Sequence, residues 1–276
     1  MAKRITSTVV LWLLLFAVLW FFRTVGAVAA IALLSVLTLR EFYRLMAAAG
    51  FEPFAGLGMF FGCLVTLSPW TEQAFGLPAH PLIALATLVF AVRIVGERAP
   101  EKRVEALAST VLGLVYVSLL LQYLVRIITP VRGDAILADG RLVLCLWAVA
   151  VAKFCDVGAL LSGLAFGRHA MAPVTSPKKT WEGAAGGVAL AMGIGALVMH
   201  LGAPVLPSSM TALHGALLAA PVAAVAILSD LVESTIKRRA ALKDSGGGIP
   251  GIGGIFDLSD SLILAAPVAY FLLGLP

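Results

Sequence analysis

The 276 residues carry 61% hydrophobic side chains, 13% charged ones and a formal net charge of +5, with a mean hydropathy of +1.01. An ordinary soluble domain is about half apolar and a quarter charged, so the composition excludes that class and points to one compact integral membrane bundle. The basic excess suits lipid headgroups and cytosolic loops rather than nucleic acid, and Cys63, Cys145 and Cys155, all in apolar surroundings, form neither a disulfide framework nor a zinc-ligand spacing.

A membrane-spanning helix needs roughly 20 predominantly apolar residues. The first such run, TSTVVLWLLLFAVLWFF at 6–22, has no small-residue cleavage site and is expected to be a retained span. It is followed by candidates at 24–39, 54–70, 80–96, 104–127, 142–163, 183–203, 211–229 and 259–275. The expectation is an all-α, polytopic integral membrane protein with about nine transmembrane helices, the first two in a tight helical hairpin. It divides into N-terminal spans over 1–140 and a C-terminal catalytic region over 141–276.

With the N-terminus, Lys3 and Arg4 placed in the cytoplasm, alternation puts twelve further basic residues there, from Arg40 and Arg44 to Lys178, Lys179, Lys237, Arg238, Arg239 and Lys243. Only Arg23, Arg126, Arg132 and Arg141 fall on the opposite side, and the connections TEQAFGLPAH and GAPVLPSSMTALHG carry no Lys or Arg. That asymmetry obeys the positive-inside rule and places the polar stretches 164–182 and 230–258 on the cytoplasmic face.

In the first polar region, Lys153 to Gly183, Asp156 sits inside an apolar helix, where an ionisable group is costly and is by default a functional candidate. Lys153, one turn earlier, offers the bland alternative of a packed ion pair. Downstream, SPKKT ends in a helix start that Ser176 or Thr180 would cap, with Lys178 and Lys179 beside it. The stretch reads either as an ordinary cytoplasmic loop or as a phosphate site at a helix N-terminus.

The second region is SDLVESTIKRRAALKDSGGGIPGIGGIFDLSDS, Ser229 to Ser261. On a continued helix, Asp230, Ser234, Lys237 and Ala241 share a face, with Glu233–Lys237 as an ordinary i, i+4 pair worth a few tenths of a kcal/mol. Lys243 and Asp244 precede a glycine-rich segment whose backbone N–H groups can approach an anion closely, or which serves as a hinge. Asp257 and Asp260 then stand one turn apart at the start of the last helix; capping explains one of them, not both. Carboxylates, lysines and glycine amides together suit Mg²⁺ with a polyphosphate. Without a nucleophile–base pair, direct in-line transfer fits better than a covalent enzyme intermediate.

Three stretches, DVGALLSGLAFGRH, SPKKTWEG and the long Ser229–Ser261 segment, resemble the phosphatidate cytidylyltransferase (CDP-diacylglycerol synthase) family. The resemblance is close from about Lys153 onward; the N-terminal half matches only as a set of spans. It implies the reaction of CTP with phosphatidate to give CDP-diacylglycerol and pyrophosphate, with Mg²⁺ or another divalent cation. By position in the motif it implies Asp230, Asp257 and Asp156 as metal carboxylates. Asp230, Ser234, Lys237, Arg238, Lys243, Asp244 and Asp260 become catalytic groups, and Ser176, Lys178, Lys179, Thr180, Gly253 and Gly254 nucleotide-phosphate contacts. The implied setting is the bacterial inner membrane with the site facing the cytoplasm, among membrane lipids, in a homodimer.

Two positions depart from the family pattern. Ile252 stands where the family has His, and Leu258 where it has Arg. Charge-assisted contacts of the lost type contribute about 1.5–3 kcal/mol each. The alternatives are therefore a divergent paralogue acting on another lipid phosphate, a CTP-dependent lipid kinase, or a non-catalytic lipid transporter with a degenerate site.

Overall fold

A computed structural model describes residues 2–76, 78–96, 103–131, 136–242, 245–246 and 253–275. Helices supply nearly all of its regular structure, as they must where backbone groups in hydrocarbon can pair only within their own segment. They are α1 (Ala2–Ala48), α2 (Ala55–Phe75), α3 (Ala79–Val95), α4 (Arg103–Gly113), a π-helical stretch Leu114–Leu119, α5 (Leu120–Ile128), α6 (Ala138–Phe166), α7 (Trp181–Gly202), α8 (Ala212–Arg239) and α9 (Ile255–Leu272). The one sheet among the described residues is an antiparallel hairpin of β1 (Ala170–Ala172) and β2 (Ser176–Thr180).

Every expected span coincides with a helix, but the count of nine does not carry over. Six described helices are long and apolar enough to cross a membrane: Phe16–Ala48, Arg103–Ile128, Ala138–Phe166, Trp181–Gly202, Ala212–Arg239 and Ile255–Leu272. The segments expected at 6–22 and 24–39 are one helical element, α1, broken at Arg23 (φ 46°, ψ −131°). A Cβ added at Gly26 would lie 2.9 Å from Val18 Cγ1. Eight residues of straight helix rise ~12 Å, so the chain bends sharply between these two residues. Helix α3 is shorter, at 17 residues, and α2 ends in the polar run Thr71-Glu72-Gln73.

The chain forms two compact units, Met1–Val125 with Ile236–Ser259, and Arg126–Thr235 with Asp260–Pro276. The first has a core of Phe61, Val65, Ala86, Phe90 and Leu114. Phe256 meets Phe42 edge-on at 6.0 Å and Tyr116 at 6.5 Å. Buried hydroxyls join its helices: Ser35 bonds Thr66 (2.7 Å) and Ser118 (3.2 Å), and Thr38 bonds Ser259 (2.8 Å). Such contacts hold helices together where apolar surface alone has no preference for protein over lipid.

Small residues organise the second unit. The buried face of α7 is Gly183, Gly187, Ala191, Gly195, Met199 and Gly202, all small but Met199. A Cβ on Gly187 would lie 2.7 Å from the Cys155 carbonyl of α6, and one on Gly195 would lie 2.7 Å from the Gly215 carbonyl of α8. Backbone-to-backbone approach of this kind requires the absent side chains.

Two helices end in the same way. After α1, Gly50 (φ 93°) lets Phe51 N–H reach the Met46 carbonyl (3.0 Å) and Gly50 N–H reach that of Ala47 (3.0 Å). After α8, Leu242 N–H bonds the Lys237 carbonyl and Ala241 N–H that of Arg238, both at 3.0 Å, with alanine at φ 55° in the left-handed position. This Schellman pattern normally takes glycine there.

Candidate active site

In the second unit, α8 carries Asp230 and Glu233 one turn apart and α9 carries Asp260. One carboxylate oxygen from each lies within 4.8 Å of the other two. Glu233 is fully buried and Asp260 nearly so. Ser229 ties the two helices together: its hydroxyl donates to the Asp260 carbonyl and accepts from Leu264 N–H at 3.3 Å.

Two lysines flank the acids. Lys179, at the end of β2, places its Nζ 2.5 Å from Asp230 Oδ2. Lys153 on α6 lies 3.5 Å from Asp260 Oδ1 and 3.6 Å from Asp156 Oδ2, and donates to Ser261 Oγ at 2.7 Å. Ser261 in turn donates to Asp156 at 2.9 Å. The Lys153–Asp156 pair weighed from the sequence is therefore present, and it belongs to a larger network. Asp230, Glu233 and Asp260 bring their oxygens together while Lys179 and Lys153 pair with Asp230, Asp260 and Asp156. All-oxygen ligands are those a hard cation takes.

The SPKKT segment is strand β2 rather than a loop. Thr180 caps α7, accepting Gly183 N–H at 3.1 Å, while Glu182 reaches back to the backbone N–H groups of Arg168 (3.1 Å) and His169 (3.2 Å) and to His169 Nδ1 (2.5 Å). Pinning both ends of the hairpin delivers Lys179 to Asp230. Lys178 is exposed and Ser176 half-buried.

In the first unit, Asp257 gathers hydrogen-bond donors. Oδ1 accepts from Lys237 Nζ (2.7 Å). Oδ2 accepts from Ser245 N–H (3.2 Å) and Gly254 N–H (2.7 Å) and lies 3.0 Å from Ser245 Oγ, whose one proton it shares with Glu41 Oε2 at 2.8 Å. Gly253 holds φ +118°, and a Cβ there would meet Asp257 Oδ2 at 2.5 Å, so the turn admits only glycine. The Gly254 amide thus points at a protein carboxylate. Leu258 N–H bonds the Gly254 carbonyl (3.3 Å) in the first turn of α9. Ser234 is half-buried and Arg238 exposed. Lys243, Asp244 and Ile252 lie outside the described residues.

Of the carboxylates singled out from sequence, Asp230 and Asp260 come together, joined by Glu233. Asp156 joins them through Lys153 and Ser261, and Asp257 belongs to the first unit. Glu233 had been read as the surface partner of Lys237, yet its position one turn after Asp230 placed it on the same helix face. Glu41, which bonds Ser245 and Phe256, stood outside both polar regions and was not singled out.

The model of the cytidylyltransferase family matches residues 2–275. A phosphatidate cytidylyltransferase of Synechocystis sp. is 32% identical over 302 aligned positions, covering 98% of this chain and 95% of that protein. A Mycobacterium bovis protein of the same name is 34% identical over 180 positions, 65% of this chain and 55% of its own length. One of Pseudomonas aeruginosa is 42% identical over 113 positions, 41% of each chain.

Proposed function

Because this chain belongs to the cytidylyltransferase family, we propose that it transfers the cytidylyl group of CTP to phosphatidate, giving CDP-diacylglycerol and pyrophosphate. A phosphate oxygen of phosphatidate attacks the α-phosphorus of CTP in line. The new P–O bond forms as the α–β phosphoanhydride bond breaks, and pyrophosphate takes the leaving electron pair. The observation that carries the reading is the group of Asp230, Glu233 and Asp260 flanked by Lys153 and Lys179.

Asp230, Glu233 and Asp260 would hold Mg²⁺ or another divalent cation, which would supply charge neutralisation at the triphosphate. Lys179 and Lys153 are placed to exchange their carboxylate partners for phosphate oxygens as nucleotide enters, each remaining charge-compensated. Lys178, Ser176 and Thr180 on the same hairpin complete the phosphate-handling edge. For Asp257, ligation would require Oδ1 to give up the Lys237 ammonium, since Oδ2 already accepts two backbone N–H groups. The positive-inside pattern supports a cytoplasm-facing site in an inner membrane.

The test supplies purified protein with phosphatidate, Mg²⁺ and CTP labelled, in parallel reactions, in the cytidine or in the γ-phosphate. Cytidine label in the lipid product supports the proposal. Transfer of the terminal phosphate alone marks a kinase, and no labelled lipid beside an active control enzyme refutes both enzymatic readings.

A further inference from the structure

Glu41 lies near the C-terminal end of α1, in the half of the chain where the family resemblance rests on spans alone. It is buried, 8% exposed, and its Oε2 accepts from Ser245 Oγ (2.8 Å) and from the Phe256 backbone N–H (2.8 Å). These are the two flanks of the glycine-rich segment. The fit is close on both: a Cβ at Gly254 would lie 2.1 Å from Glu41 Oε2, and one at Gly246 would lie 2.8 Å from Glu41 Oε1. Glycine at both positions admits the carboxylate. The Ser245 backbone N–H donates to Asp257 Oδ2 (3.2 Å), its single hydroxyl proton lies between the Glu41 and Asp257 carboxylates, and Asp257 Oδ1 bonds Lys237. The contacts form one chain, Glu41–Ser245–Asp257–Lys237, entirely within the first unit.

We propose that Glu41 is a positioning residue for cytidylyl transfer: by clamping both flanks of the glycine segment, it fixes the orientation in which Asp257 and Lys237 are presented. The proposal rests on the reading of the chain as a cytidylyltransferase. Glu41 touches neither substrate nor reacting atoms; it acts through Ser245 and the Phe256 amide. A carboxylate suits the task because it has acceptor sites for several donors at once, and a displacement of positioned groups by about 1 Å costs on the order of 100-fold in rate.

The experiment compares Glu41→Ala, Glu41→Gln, Ser245→Ala and the double variant Glu41→Ala/Ser245→Ala in steady-state turnover and in amide hydrogen exchange. Glu41→Ala and Ser245→Ala should each lower kcat by about tenfold or more, with KM for CTP within about twofold of wild type. Glu41→Gln, which keeps an acceptor for Phe256 N–H, should recover most of the loss. The double variant should be no slower than the worse single one, because both changes break one chain of contacts. Exchange should quicken over 245–256 and stay unchanged in α6 and α7. Wild-type kcat in Glu41→Ala, losses that multiply in the double variant, or exchange that quickens throughout would each overturn the proposal. If Glu41→Ala does not fold, Glu41→Gln and Ser245→Ala decide it by the same readouts. A wild-type chain that makes no CDP-lipid would sink the functional reading alone, and the exchange comparison would still decide whether Glu41 holds the segment.

Discussion

The two units use carboxylates in opposite ways. In the second, Asp230, Glu233 and Asp260 face one another, and the ammonium groups of Lys179 and Lys153 only flank them. In the first, Asp257 and Glu41 take the Lys237 ammonium and backbone N–H groups and share the Ser245 hydroxyl. Like charges held together are costly unless a cation joins them, whereas a carboxylate filled with donors is structurally satisfied as it stands. On the proposed reading, the contrast separates acids that would hold a cation from acids that hold the backbone.

The largest effect should come from the acidic group. Asp230→Asn and Asp260→Asn should each reduce cytidylyl transfer by at least ~100-fold, as loss of a single strong electrostatic contact at a reacting centre does, while the detergent-solubilised protein keeps its elution profile. Activity within tenfold of wild type would remove the distinction between the units. Asp257→Asn sharpens it. If Asp257 serves only as an anchor, the variant loses turnover with an unchanged Mg²⁺ requirement; a raised requirement equal to that of Asp260→Asn would place Asp257 among the ligands.

Two smaller effects concern the scaffold. Gly187→Leu drives a side chain into the Cys155 carbonyl, 2.7 Å from the first added atom, and should lower thermal stability by more than ~2 kcal/mol as overpacking does. Ala241→Gly relieves a left-handed alanine (φ 55°) at the end of α8 and should raise stability by up to ~1 kcal/mol. An unchanged melting midpoint in Gly187→Leu would contradict the close α6–α7 packing, and a lowered one in Ala241→Gly would contradict the strained cap.

Much of this organisation was legible in the chain. Apolar runs located the helices because a membrane interior tolerates little else. Asp230 and Asp260 stood out as acids at the mouths of apolar helices. Glu233 did not, since Lys237 one turn later supplied an adequate surface partner, and the bond from Lys237 to Asp257, 20 residues on, has no local pattern. Glu41 was illegible for a different reason. Its partners Ser245 and Phe256 are 204 and 215 residues away, and no local spacing reports such a contact. The bend at Arg23 lay between two spans read as separate helices, and a left-handed arginine has no pattern that announces it.

The most direct measurement is Mn²⁺ binding by electron paramagnetic resonance to the purified protein with CTP, comparing wild type with Glu233→Gln. If Asp230, Glu233 and Asp260 together hold the cation, the variant binds Mn²⁺ at least about tenfold more weakly while remaining folded. Equal affinity in the two proteins would contradict the account.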